Sequence, residues 1–377
     1  MKAGVTGASG FLGWHARCAF KAAGIECVPI DRRMLGDPTE LGAGLDGVNV
    51  VLHAAGVNRG RESDLRDNNM AIAKVLTSAL DRLSSNPPLI IYANSLHSGD
   101  GTAFGDGKES AAAHLAAWGM SAGAPVADVR LPNLFGEHGR PFYNSVVATF
   151  CHQLATGGTP VVFDDRALPL LHVQDAMDVI IDLAQQGFSG VVRPSSTEVG
   201  ISEVLRVLET HNSLYSRSEI PDLTEPLHLA LFNTYRSYCF LDRFPTVIAP
   251  RSDARGALFE CLRGFGGQTQ VFCSSTHPGA LRGNHFHRRK IERFIVLGGT
   301  AEIALRRLFG DTVTRFTVSG NSPSIVDMPT MWAHSIENVG AHEMSALFWA
   351  SEIFDPAHAD TFPEPVLVGN DGTDGHL

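Results

Sequence analysis

Late in the chain, residues with metal-binding chemistry recur at short spacing: His285, His287 and Glu292, followed some forty positions on by His334. His285 and His287 are two apart, so on a strand both imidazoles leave the same face. Glu292 opens the apolar run 294–297 and can turn its carboxylate back toward the two rings, while His334 brings a third imidazole from a distant strand. Three neutral ring nitrogens and one carboxylate oxygen form a hard-to-borderline ligand set, suited to zinc, iron, manganese or nickel. The basic run 288–290 between these residues reads as a solvated turn. The bland alternative is a histidine-rich hairpin on a β-sandwich.

A second constellation opens the chain. A short apolar strand, residues 1–6, runs into Gly7, Gly10 and Gly13, and a helical stretch then continues to Gly24. Strand, glycine turn and helix in that order set a helix N-terminus beneath a pyrophosphate. Phe11 and Leu12, between the glycines, belong to the same expected cofactor site. A second strand, 26–30, ends at Asp31, Arg32 and Arg33, where the adenosine ribose would lie. Asp31 suits a ribose 2′-hydroxyl and hence NAD(H), whereas Arg32 and Arg33 suit a 2′-phosphate and hence NADP(H). A third strand, 48–52, delivers His53, Ala54, Ala55 and Gly56, with Asn58 and Arg59 just beyond. Residues 54–56 are expected at the cofactor, and Asn58 and Arg59 at the substrate. A fourth strand delivers Asn94 and Ser95, and Phe104 and Lys108 then lie one helical turn apart on one face.

These elements need two domains, because at 377 residues the chain exceeds what one core of about 250–300 residues usually holds. The texture changes near Phe244 and Pro245, from alternating strands and helices to short strands punctuated by Gly, Pro and Asp. The expected division is therefore 1–245, an α/β Rossmann-type doubly wound parallel sheet, and 246–377, an all-β barrel or sandwich. A net charge of −10 argues against nucleic acid or anionic membrane as the main partner. No apolar run reaches a membrane span, and the opening strand leaves no room for a signal peptide. Six cysteines without Cys-x-x-Cys spacing read as reduced, cytoplasmic residues. Residues 141–150 carry apolar positions at helical spacing, residues 201–208 look helical, and the tail 369–377 is polar and glycine-rich.

The first half resembles the extended short-chain dehydrogenase/reductase family. Ser95 matches that family's catalytic serine, and Phe104 and Lys108 stand where it has Tyr-x-x-x-Lys. The family tyrosine gives a proton to the carbonyl and the lysine lowers its pKa; phenylalanine has no proton to give, so a general-acid contribution of about 10²–10⁴-fold is missing. A natural variant and an engineered Tyr→Phe exchange both fit. The later histidines resemble the cupin signature Gly-x5-His-x-His-x4-Glu-x6-Gly followed by Pro-x-Gly-x2-His-x3-Asn, which implies His285, His287, Glu292 and His334 as ligands of one divalent metal, zinc the expected one. Met331 replaces the second motif's glycine. Asp253, Arg255, Gly256 and Glu260 resemble the opening of jelly-roll sugar-nucleotide epimerases.

Over nearly its whole length the chain resembles the bifunctional UDP-2-acetamido-2,6-dideoxy-β-L-arabino-hexul-4-ose reductases of capsule and O-antigen synthesis. The resemblance implies a cupin domain that epimerises C3 beside a 4-keto group and a reductase domain that reduces the ketone with NADP(H), NAD(H) being the alternative. It implies a UDP-4-keto-6-deoxy-N-acetylhexosamine substrate, met by Asn58, Arg59, Asn133, Tyr143 and Asn144, and catalysis involving Ser95, Phe104 and Lys108. A homodimer is expected. The rival readings are a metal-dependent cupin isomerase or oxygenase carrying a non-reducing Rossmann domain, and a non-enzymatic sugar-nucleotide sensor.

Overall fold

The computed structural model describes residues 1–83, 85–254 and 256–367. Arg255 and the tail 369–377, both singled out above, lie outside the described residues. By their internal contacts the residues fall into two compact units: Met1–Phe135 with Asp164–Ile201, and Gly136–Phe163 with Ser202–Leu377.

The first unit alternates strand and helix: β1 (Lys2–Thr6), α1 (Phe11–Ala22), β2 (Glu26–Ile30), α2 (Pro38–Leu45), β3 (Val50–His53), α3 (Glu62–Leu80), β4 (Leu89–Ser95), α4 (Ala103–Ala122), β5 (Val126–Leu131) and β6 (Asn133–Phe135). Helix α5 (Val146–Ala155) belongs to the second unit; β7 (Ala167–His172), α6 (Val173–Gln186), β8 (Gly190–Val192) and β9 (Thr197–Gly200) then complete the first. Six strands form a parallel sheet in the order β2-β1-β3-β4-β5-β8, and β6, β7 and β9 form a separate small sheet. The period-2 alternation of strands assigns neighbouring residues to opposite layers. Val50, Leu52 and Ile91 pack with α1 and α6 residues such as Phe20 and Ile180, while Val51, Ile90 and Tyr92 pack with Leu41, Leu76 and Leu115 of α2, α3 and α4. Burial on both faces is what a doubly wound sheet requires.

The second unit continues through α7 (Ile201–Tyr215), α8 (Pro226–Cys239), β10 (Thr246–Val247), β11 (Arg251–Asp253), β12 (Gly256–Leu258), β13 (Gln270–Thr276), β14 (Leu281–Phe286), β15 (Glu292–Gly298) and β16 (Thr300–Arg307). It ends with β17 (Val313–Ser319), β18 (Ser324–Met328), β19 (Trp332–Asn338), β20 (Met344–Ala350) and β21 (Phe362–Pro363). Two five-stranded antiparallel sheets, β10-β18-β15-β20-β13 and β17-β16-β19-β14-β21, give the cupin jelly roll. The helix expected over 201–208 runs on to Tyr215, whose buried hydroxyl donates to Asp327 Oδ2 at 3.0 Å. Asp327 also takes two hydrogen bonds from buried Arg293, at 2.7 and 3.0 Å, and Arg236 of α8 donates to the Met328 carbonyl. Helices α7 and α8 are thus tied to β15 and β18. Among the described residues no helix is long and apolar enough to cross a membrane.

Candidate functional site

The barrel cluster is set up by a local irregularity in β14. His285 pairs directly with His334 of β19, but the register slips between Gly283 and His285, and Asn284 between them takes φ 57°. Such a bulge re-aims the residues that follow it. Gly283 has φ 100°, and a Cβ there would lie 2.7 Å from the His334 carbonyl oxygen, so this crossing admits only glycine. Met331, at the glycine position of the cupin motif, itself adopts φ 60° while fully buried, and its N–H donates to the His287 carbonyl at 2.7 Å. Surrounding packing holds a conformation that a side chain disfavours by about 1 kcal/mol. Asn338, at the end of the same motif, acts as a staple: its amide donates to the Thr276 and His342 carbonyls and accepts from Gly340 N–H.

One ligand atom from each of His285, His287, Glu292 and His334 lies within 4.8 Å of all the others. Glu292 Oε2 stands 3.8, 3.0 and 3.4 Å from the Nε2 atoms of His285, His287 and His334. All three Nε2 atoms are buried without a hydrogen-bond partner. Each buried unsatisfied group costs about 1–3 kcal/mol, so three approach the whole stability of a small domain, about 5–15 kcal/mol. A divalent cation at their convergence satisfies all three, and the donor set fits one. Burial disfavours the charged form of Glu292, but the facing histidines outweigh it and hold the carboxyl far below the usual range. Burial drives His334 down to about 4, keeping its imidazole neutral, the form that ligates.

Beyond these four residues, one further residue organises the approach. His287 Nδ1 sits 2.5 Å from the Asp360 carbonyl, which fixes Nε2 inward. The Asp360 carboxylate accepts from the N–H groups of Arg288, Arg289 and Lys290 at 3.0, 2.6 and 2.7 Å. Lys290 donates to Thr361 Oγ1 and reaches Glu292 Oε1 at 3.0 Å, leaving Oε2 to the histidines. The run 288–290 is therefore no solvated turn: Lys290 is buried and its neighbours half-buried, because a carboxylate from seventy positions away caps the backbone. Glu292 and Lys290 also line a cleft of about 250 Å³ with Gln270, Phe272 and Glu352. Burial pushes the Glu352 carboxyl up, and nearby Asp360 adds to the rise.

In the first unit the glycines are spacing devices. Gly7 has φ 67°, and a Cβ on Gly13 would lie 2.1 Å from the Gly7 carbonyl oxygen, so α1 can start this close to β1 only without a side chain. Gly10 caps α1 with no side-chain hydrogen bond, leaving the N-terminal N–H groups at Phe11, Leu12 and Gly13 for an anion. Ala55 N–H donates to Thr6 Oγ1, and a Cβ on Gly7 would meet Ala55 N at 3.0 Å, so residues 54–56 flank the glycine turn. Asp31 accepts from Met34 N–H, and Arg33 pairs with Glu40, while Arg32 is exposed.

Ser95 closes β4, its N–H bound to Asn94 Oδ1. Lys108 Nζ donates to the Ala93 carbonyl at 2.8 Å and lies over the Tyr92 ring. Burial pulls this lysine down to about 8, against the opposing pull of Asp128. Phe104 stands in the first turn of α4, one turn before Lys108. Asn94 also donates to Ser98 and Asp128, and Glu109 and Arg130 extend this polar network, which sequence spacing did not reveal. Of the expected substrate residues, Asn58 and Arg59 are exposed after β3, and Asn133 on β6 donates to the Pro169 carbonyl at 3.4 Å. Tyr143 and Asn144 fall in the other unit, just before α5; Arg140 lies over the Tyr143 ring at 4.9 Å.

A doubly wound sheet with this glycine cradle, and a serine and lysine beside it, defines the class as NAD(P)-dependent enzymes of the epimerase/dehydratase type. Residues 3–194 match the model of the NAD dependent epimerase/dehydratase family, and residues 251–362 match the polysaccharide biosynthesis C-terminal domain. The UDP-2-acetamido-2,6-beta-L-arabino-hexul-4-ose reductase of Pseudomonas aeruginosa is 33% identical over 96% of this chain and 98% of its own length. Capsular polysaccharide assembling protein CapF from Staphylococcus aureus superposes with TM-score 0.60 and 27% identity, over 97% of this chain and 100% of that one. RMD from Pseudomonas aeruginosa, complexed with NADPH, reaches TM-score 0.50 at 22% identity over 56% of this chain and 82% of that one, a likeness of fold alone. The chain belongs to the NAD dependent epimerase/dehydratase family, in the group of the UDP-2-acetamido-2,6-β-L-arabino-hexul-4-ose reductases.

Proposed function

We propose that this protein epimerises C3 of a UDP-4-keto-6-deoxy-N-acetylhexosamine in its barrel and reduces the 4-ketone on its parallel-sheet unit. The observation that carries the reading is that one chain holds both an imidazole–carboxylate cluster opening on a cleft and a glycine cradle with Ser95 and Lys108 beside it. The working division is 1–245 for the reductase and 246–377 for the cupin domain.

His285, His287, Glu292 and His334 would hold one divalent cation, zinc by preference, which supplies Lewis acidity to a neighbouring ketone. Glu352, in the same cleft and raised by burial, carries the proton at the epimerising carbon. Gly7, Gly10 and Gly13 receive the pyrophosphate of a nicotinamide cofactor, the source of hydride. NADP(H) is favoured: Asp31 is engaged by its own turn, and exposed Arg32 is the proposed partner of a 2′-phosphate. Ser95 orients the carbonyl, and Lys108 contributes a positive charge near it. Asn58, Arg59, Asn133, Tyr143 and Asn144 are the proposed substrate contacts. The protein acts in the cytoplasm as a homodimer in this reading.

Oxidation of NADPH by the full chain with this substrate, followed by NMR of the product, tests the proposal. A product inverted at C3 and reduced at C4 is expected. A product reduced without inversion removes the epimerase half, and oxygen consumption by an iron-loaded protein without NADPH oxidation favours the rival oxygenase.

A further inference from the structure

The reductase reading, on which this inference rests, leaves one proton without a source. Reduction of a ketone places negative charge on oxygen, and Phe104 carries no acid to neutralise it. The other acids near the end of β4 are badly placed. The Tyr92 hydroxyl is buried without a partner, and burial pushes it well above its usual range. His53 is fully buried, bound through Nδ1 to Thr6 and driven down to about 3.

The loop between β4 and α4 holds a better candidate. His97 is two residues past Ser95, and its N–H donates to Ser95 Oγ at 3.2 Å. Its Nδ1 is 3.0 Å from Asp100 Oδ2, so the carboxylate fixes the ring and turns Nε2 outward. Asp100 is held in turn by the hydroxyl and N–H of Thr102, at 2.6 and 3.0 Å, while Thr102 caps α4 by accepting from Gly105 N–H. Gly105, next to Phe104, closes the knot: a Cβ there would lie 2.2 Å from both Asp100 Oδ1 and the His97 carbonyl oxygen. Ser95, His97 and Asp100 thus share the loop at the end of β4, and Phe104 stands in the first turn of the helix that this loop leads into. The His97 side chain is 64% exposed, so a substrate can reach it.

We propose that His97, oriented by Asp100, donates the proton that a tyrosine at position 104 would give. As hydride from the reduced nicotinamide forms the new C–H bond at the carbonyl carbon, the carbonyl π pair moves to oxygen, which takes the proton from His97 Nε2. The products are a secondary alcohol, the oxidised nicotinamide and a neutral imidazole, which water reprotonates. The ring enters the step protonated on both nitrogens. Besides Asp100, the charged groups on the elements packed against this loop are Asp106, Lys108 and Glu109 of α4, Arg66 of α3 near Asp106, and Arg130 of β5 near Glu109.

The test is single-turnover NADPH oxidation by the full chain with the UDP-4-keto-6-deoxy-N-acetylhexosamine, across about pH 5–9, for the wild type and its variants. His97→Gln should lose about 10²–10⁴-fold, with NADPH binding by fluorescence unchanged. Asp100→Asn should lower the rate by less than His97→Gln, because it frees the ring without removing it. Adding Phe104→Tyr to His97→Gln should recover at least about tenfold. Independently of turnover, the His97 ring resonance, assigned by its loss in His97→Gln, should shift when the UDP-sugar product binds. A ring resonance indifferent to product, or His97→Gln with full rate, overturns the inference and leaves the reductase reading standing. A limb near 8 that survives His97→Gln gives the proton to Lys108 instead, with the same consequence. A wild type that never oxidises NADPH overturns both.

Discussion

In the barrel, chemistry is held by side chains: imidazoles and a carboxylate converge at the ends of β14, β15 and β19, and Asp360 grips the intervening turn. In the parallel-sheet unit it is held largely by missing side chains, since α1 approaches β1 only because Gly13 leaves room for the Gly7 carbonyl. The two constructions fail differently. A cluster of mutually dependent side chains is sensitive to any one of them, and its strain is visible as the left-handed Asn284 and Met331. A cradle of backbone N–H groups keeps its anion site when a catalytic side chain changes. On the proposed reductase reading, that tolerance lets position 104 hold phenylalanine while Ser95, Lys108 and the glycine turn remain in place.

The largest effect that could break this comparison is in the barrel. His287→Ala removes one of four ligands, and we expect metal affinity to fall by more than about a hundredfold, beyond the usual loss for outer-shell changes. Metal content after dialysis reads this directly; a full equivalent retained means the ligand set is wrong. Asp360→Asn should cost less, about 10–100-fold, because it loosens the 288–290 turn and the Lys290–Glu292 contact without deleting a ligand. Competition with a chelator measures it, and an affinity equal to wild type would make Asp360 a mere loop cap. Lys108 offers a pH test of the other unit. Its folded pKa, about 8, lies below the unfolded value near 10.4, so the folded protein gains stability as pH rises through that window and loses it as pH falls toward 8. Lys108→Met should flatten this rise, worth up to about 3 kcal/mol, in denaturant melts. The smallest change is Thr102→Ala, which removes the α4 cap and should cost about 1 kcal/mol.

Much of this was legible before the fold was known, and the reasons are physical. Two-residue spacing fixes which strand face His285 and His287 share, and a glycine triplet after a strand has few uses besides close approach. What is not legible depends on long-range pairing. Lys290 looked solvated because Asp360, which buries its turn, lies seventy positions on. Tyr215 and Arg236 give no hint in sequence that α7 and α8 hold the Arg293–Asp327 pair, so the expected break near Phe244, which follows α8, separates these helices from the barrel sheet they pack on. His97 and Asp100 escaped because a single histidine three residues from an aspartate is an ordinary loop until Ser95 and Gly105 are seen to enclose it.

The central claim is that two chemistries reside in two separable sites of one chain. It is tested most directly by following the UDP-4-keto sugar in D₂O by NMR, with and without NADPH, for the wild type, His287→Ala and Lys108→Met. The account predicts that the wild type exchanges deuterium into the carbon beside the ketone without NADPH, that His287→Ala loses this exchange, and that Lys108→Met keeps it while losing NADPH oxidation. Exchange that survives in His287→Ala, or that disappears in a folded, metal-loaded Lys108→Met protein, would contradict it.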